Sequence, residues 1–141
     1  MPKIFISYSH VDQSYIRDIK SVRQNQNHHL HFGDNSLKNP IYNENGHINR
    51  RPPNDPSSDP VKREILQLLR DSDKLLVILG NDTHSKLWVE WEIDTFNRTH
   101  RNGDILLMRT PDNTRGGAPI TAQNLRVHSW DLEAVARWVR S

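Results

Sequence analysis

This sequence predicts an α/β fold: a flavodoxin-like, five-stranded, mainly parallel sheet of order 2-1-3-4-5 with helices on both faces. Two observations carry that prediction. Lys74-Leu-Leu-Val-Ile-Leu79 is the most hydrophobic run in the chain. A strand apolar on both faces belongs in the middle of a parallel sheet covered by helices. Strand-like and helix-like stretches also alternate along the chain in the order β-α-β-loop-α-β-α-β-loop-β-α, the pattern of parallel strands joined by crossover helices.

Each element has its own signal. Lys3-Ile-Phe-Ile-Ser-Tyr8 is a short apolar run that reads as a buried strand. His10 to Asp12 is a polar turn. Tyr15, Ile16, Ile19 and Val22 then recur at helical spacing, which predicts a helix over roughly 12–25. Leu30 to Phe32 is a weaker strand, stopped by Gly33-Asp34-Asn35. Residues 34–59 hold four of the eight prolines (Pro40, Pro52, Pro53 and Pro56). The segment 37–59 is expected to be an irregular surface excursion within the domain, because the apolar blocks on either side are too small to fold alone. Asp59-Pro60 is expected to open the next helix, with Asp as N-cap and Pro in the first turn. Val61, Ile65, Leu66, Leu68 and Leu69 supply its apolar stripe. After the 74–79 strand comes the turn Gly80-Asn81-Asp82-Thr83. A helix from Ser85 to about Arg101 follows, broken by Asn102-Gly103. Asp104 to Met108 reads as a fourth strand and Leu125 to His128 as a short edge strand. Asp131 caps a last helix with Leu132, Val135, Ala136 and Val139 on its apolar face.

Composition narrows the function classes. The 141 residues fit one domain spanning 1–141. Hydrophobic residues make up 34% and charged residues 26%, a polar chain whose apolar residues are concentrated in dense blocks. Cysteine is absent, which excludes disulfides, thiolate nucleophiles and cysteine-based zinc sites. Nineteen basic against seventeen acidic residues leave +2, which makes no nucleic-acid footprint. No apolar run approaches the ~18 residues of a membrane span. The first apolar stretch is too short for a secretory signal. A cytoplasmic protein that binds neither membrane nor nucleic acid is the expectation.

One residue breaks the pattern of its helix. In Lys86-Leu-Trp-Val-Glu-Trp-Glu-Ile-Asp-Thr-Phe96, the residues Trp88, Trp91, Thr95 and Phe96 fall on one face. Glu92 lies in the middle of that stripe, while Glu90 and Asp94 point to the opposite side. A carboxylate among tryptophans is costly to bury unless it is paired or its pKa is raised. Glu92 is therefore either a functional group or a structural one bonded to a local arginine or backbone amide.

Several of these segments resemble a known family. Lys3-Ile-Phe-Ile-Ser-Tyr-Ser-His10 resembles the opening strand and loop of TIR domains. Phe32-Gly-Asp-Asn-Ser36 resembles the end of their second strand. Val77-Ile-Leu-Gly-Asn-Asp-Thr83, followed by Lys86-Leu-Trp-Val-Glu-Trp-Glu-Ile93, is similar to the TIR-like, NAD-consuming sensor of Thoeris anti-phage systems. The resemblance covers positions 3 to about 108. It implies that Glu92, four positions after Trp88, is the catalytic glutamate of an NAD glycohydrolase or ADP-ribosyl cyclase. It implies a substrate pocket lined by Phe5, Ser7, Tyr8, Ser9 and His10, with Asp34 and Ser36 on the other wall and Asn81, His84 and Trp88 nearby. NAD is then a substrate and not a resident cofactor, and no metal is required. A self-associating protein is implied, one that signals to a downstream effector through a soluble cyclic or conjugated ADP-ribose. The chain departs from the family between 37 and 59, where it is longer and richer in proline.

Other signals are weaker. His28-His29-x-His31 has no carboxylate at ligand spacing, so no metal site is assigned. Arg50-Arg51-Pro-Pro53 reads as a solvated loop. Ser7 and Ser9 with His10 lack a Gly-x-Ser-x-Gly elbow, which argues against serine nucleophile chemistry. Trp130 and Trp138 read as packing or a partner surface, and Gly116-Gly117 as a flexible turn. The alternative to the enzyme is a TIR-like interaction module without chemistry, because the fold hosts both. The intact Trp-x-x-x-Glu and the placement of Glu92 favour the enzyme.

Overall fold

The structure, a computed structural model, describes residues 2–8, 13–24, 33–34, 54–80, 86–101, 104–113 and 125–141. Strand β1 (Lys3–Ser7) lies between β2 (Gly33–Asp34) and β3 (Lys74–Leu79). Next to β3 comes β4 (Ile105–Arg109), and β5 (Val127–His128) forms the far edge, with every pairing parallel. The chain is thus α/β, with a parallel sheet and covering helices.

Strand periodicity divides the core in two. Side chains alternate between faces along a strand. Ile4, Ile6, Leu76, Ile78, Leu106 and Met108 meet α1 (Gln13–Gln24) and α4 (Leu132–Arg140), which contribute Ile16, Ile19, Val135, Ala136 and Val139. Phe5, Leu75, Val77, Ile105 and Leu107 meet α2 (Asp59–Asp71) and α3 (Lys86–Asn97). Those two helices contribute Val61, Ile65, Leu69, Val89, Ile93 and Phe96. Strand β3 is buried from Lys74 through Ile78, as a strand covered on both sides must be.

Local details depart from the sequence reading. The segment that pairs with β1 is Gly33-Asp34, in register with Lys3 and Ile4, although this dipeptide was expected to stop the strand. Leu30–Phe32 and residues 37–53 lie outside the described residues. The end of the excursion is regular: Pro56–Ser58 form a 3-10 turn with Ser58 fully buried. Ser58, not Asp59, occupies the N-cap position of α2. Asp59 falls in the first turn, where its carboxylate still complements the helix dipole.

Helix α3 stops at Asn97, short of Arg101. The amides of Thr99 and His100 both reach back to Phe96 O, at 3.1 and 3.0 Å. The His100 ring stacks on Phe96 with centroids 3.8 Å apart, and its Nε2 lies 2.9 Å from Ser72 O. This contact ties the end of α3 to the end of α2. At the start of β3, the buried Lys74 places Nζ 3.3 Å from Ser141 Oγ and 5.0 Å from the Trp138 ring centre, a cation–π contact that fastens the end of α4.

Asp131 caps α4 as its position suggested, accepting from the amides of Glu133 (3.0 Å) and Ala134 (3.3 Å). Replacing it with alanine leaves those donors without the carboxylate. Asp131→Ala is expected to lower stability by about 1 kcal/mol in urea unfolding. Asp131→Asn, which keeps an acceptor, is expected to stay close to the parent protein.

Candidate functional site

Parallel α/β sheets bind ligands beyond the carboxyl ends of their strands, where the chain switches direction. Here the chain runs from β1 to one side and returns to β3 on the other, so that point lies between the ends of β1 and β3. Ser7 is the last residue of β1 and pairs with Val77 of β3. It is 2% exposed and follows Phe5 on the face that α3 covers.

Glu92 comes from α3. The buried positions of this helix are Val89, Glu92, Ile93, Thr95 and Phe96. Glu92 therefore belongs to the buried stripe, but the stripe is centred on Val89, Ile93 and Phe96, not on the tryptophans. Trp88 and Trp91 lie half-buried on its shoulder and meet edge to face, with centroids 5.6 Å apart and planes at 83°. Glu90 is half-buried, and Asp94 is exposed and pairs with Arg98 at 2.9 Å. That pair is solvent-exposed and contributes little.

The surroundings of Glu92 are hostile to charge. The residue is 7% exposed. Burial pushes its carboxyl up from 4.5 to about 8, and the nearby Ser7 hydroxyl offsets part of that rise. The two groups approach without forming a hydrogen bond: neither Ser7 Oγ nor Glu92 Oε2 has a partner among the described residues. Buried polar atoms are nearly always satisfied, so two adjacent orphans need a reason. Near neutral pH such a carboxyl can hold or release a proton. Once ionised, it favours a cation placed beside it.

The other expected site residues are distributed over both faces of the sheet and beyond the described residues. Phe5 is 3% exposed inside the α2/α3 cluster. Tyr8 is half-buried against the α1/α4 cluster, on the sheet face away from Glu92. Trp88 packs half-buried against the α2/α3 cluster. The backbone of Asp34 is placed, paired with Ile4. Ser9, His10, Ser36, Asn81 and His84 lie outside the described residues. A surface groove of about 430 Å3 lies elsewhere, between Asp59, Lys62, Arg63 and Leu66 of α2 and Trp91 of α3. Among the described residues, no cluster of His, Asp and Glu could hold a metal, and no helix is long and apolar enough to cross a membrane.

One supporting residue was missed by the sequence reading. Asn113 is 5% exposed, and its Nδ2 donates to Leu79 O at 2.9 Å and Gly80 O at 3.3 Å. These carbonyls sit where β3 leaves the sheet toward α3. The turn Thr110-Pro-Asp-Asn113 presents the amide, closed by Asn113 N on Thr110 O at 3.1 Å. Proline in the second position followed by Asp and Asn is the turn signal that could have drawn attention to it.

The family model for the Thoeris protein ThsB, TIR-like domain, matches residues 5–115. Among solved structures, a crystal structure of a prokaryotic SEFIR domain superposes with a TM-score of 0.55 at 12% identity. The match covers 99% of this chain and 94% of that one, and at that identity it is a likeness of fold. No curated protein matches the chain.

Glu92 keeps its proton to higher pH in the folded protein than in the unfolded chain. The unfolded state ionises first, so stability present below pH 4.5 is lost as pH rises toward about 8. Glu92→Gln mimics the neutral form and escapes that loss. In urea titrations across pH the variant is expected to match the parent in acid. It should gain on the parent by about 1.4 kcal/mol per pH unit through that window.

Proposed function

Because the chain belongs to the TIR-like domain family of the Thoeris protein ThsB, we propose that it cleaves the nicotinamide–ribose bond of NAD, with Glu92 as the catalytic carboxylate. The observation that supports this reading is the burial of Glu92 beside the carboxyl end of β1, with Oε2 unpartnered among the described residues. A carboxylate kept for packing would be bonded to an arginine or an amide, and Oε2 has neither among the described residues.

The chemistry asks little of the protein beyond charge and position. The glycosidic C–N bond breaks, and nicotinamide leaves as a neutral molecule with the bonding electrons. A ribosyl oxocarbenium ion develops at the anomeric carbon. An ionised Glu92 beside the ribose stabilises that positive charge in a medium of low polarity, where it counts for most. The raised proton affinity of the buried Glu92 carboxyl fits this role. The positive pyridinium ring of bound NAD offers the opposite charge that draws the proton off. If water adds to the anomeric carbon, the product is ADP-ribose and the water proton is released. If adenine or another nucleophile adds, the product is a cyclic or conjugated ADP-ribose. Such a product suits a soluble signal to a downstream effector in anti-phage defence. Ser9, His10, Asp34, Ser36, Asn81, His84 and Trp88 are proposed to frame the nucleotide. The working form is proposed to be self-associated.

Concentrated protein incubated with NAD is expected to release nicotinamide, resolved from the nucleotide product by chromatography. Glu92→Gln should lower turnover by a factor on the order of a hundred or more, as for loss of a main electrostatic stabiliser. Glu90→Gln should be nearly silent. Full turnover in Glu92→Gln would reject the catalytic assignment. Absence of turnover at every protein concentration would favour an interaction module.

A further inference from the structure

The apolar part of the layer between the sheet and α3 comes from Phe5, Leu75, Val77, Ile105, Leu107, Val89, Ile93 and Phe96. Ser7 interrupts it at the end of β1, where an aliphatic residue would continue the pattern of Phe5. A buried hydroxyl in such a layer is unfavourable unless it has a partner. Its neighbour on the helix side is Glu92, and both Ser7 Oγ and Glu92 Oε2 are buried with no partner among the described residues. A serine hydroxyl rotates about one bond, so its proton can be redirected without moving the backbone.

We infer that Ser7 is the positioning residue for Glu92: when the carboxylate ionises, the Ser7 hydroxyl turns to donate to Oε2 and holds it in a single orientation. The inference rests on the reading of Glu92 as the catalytic carboxylate. No covalent bond to Ser7 forms. Neither atom has a hydrogen-bond partner among the described residues, and on ionisation of the carboxyl they form a charge-assisted hydrogen bond. The ordinary cause of an ionised buried carboxylate is a basic side chain, and here a neutral hydroxyl does that work. The ionised site thus keeps its full negative charge for a cationic centre. A lysine or arginine in place of Ser7 would cancel that charge.

The test reads Glu92 directly. In the full chain carrying 13C-labelled glutamate, the Glu92 carboxyl signal, assigned by its loss in Glu92→Gln, is followed with pH in the parent, Ser7→Ala and Ser7→Thr. Ser7→Ala removes the donor and is expected to move the midpoint up by roughly one pH unit. Ser7→Thr keeps a hydroxyl and should return the midpoint toward the parent value. The acid limb of kcat/KM for NAD should move with the carboxyl signal in all three proteins. An unchanged midpoint in Ser7→Ala overturns the inference. If Ser7→Ala fails to fold, a parent-like midpoint in Ser7→Thr supports the inference and an alanine-like rise in Ser7→Thr overturns it. If the midpoint moves as expected but no protein turns over NAD, the coupling of Ser7 to Glu92 stands and the proposed activity falls.

Discussion

Strand β3 must be covered on both faces, and most of the architecture follows from that requirement. Leu75, Leu76, Val77 and Ile78 are each at most 2% exposed. Hiding them takes two layers of helix, α1 with α4 on one side and α2 with α3 on the other. With β1 and β4 on its two edges, β3 also fixes where the chain must cross over. The end of β1 and the middle of α3 then meet in one layer. That meeting places Ser7 beside Glu92.

The same layer explains why Glu92 holds its proton so far above the usual carboxylate range. Aliphatic and aromatic side chains of the helix and the sheet fill this layer, and burial among them disfavours the charge, with the Ser7 hydroxyl offsetting part of the effect. Such an arrangement works against stability at neutral and alkaline pH and in favour of chemistry that creates a positive centre nearby. Sites of this kind are where proteins give up stability for function. The supporting contacts are conventional. Asn113 satisfies the carbonyls at the exit of β3, and His100 pins the far end of α3 to α2 through Ser72. Both ends of the segment that carries Glu92 are therefore held to the scaffold.

The likeness to a SEFIR domain across nearly the whole of both chains places the architecture among TIR- and SEFIR-type folds. Fold of this kind does not decide between catalysis and assembly, because function resides in the site. What separates the two readings in this protein is local: a buried carboxylate oxygen with no partner among the described residues, at the switch point of the sheet.

Much of this was legible in the residues. The apolar run 74–79 marked a strand covered on both faces, the spacing of Tyr15, Ile16, Ile19 and Val22 marked α1, and Asp131 marked the start of α4. The oddity of Glu92 showed as a carboxylate on an apolar helical face, because helical angle follows from sequence position alone. Which arc of that helix meets the sheet did not. The wheel permits a stripe centred on Trp88 and Trp91 or one centred on Val89, Ile93 and Phe96. The smaller, branched side chains fit the close approach of helix to sheet, while the indoles remain on the shoulder. Strand periodicity sets Ser7 and Tyr8 on opposite faces, but only the packed helices reveal that Ser7 shares a layer with Glu92 while Tyr8 joins α1 and α4. The missing hydrogen bond between two buried polar atoms was beyond any sequence pattern. It depends on distances between segments 85 residues apart, set when the sheet and α3 close on each other.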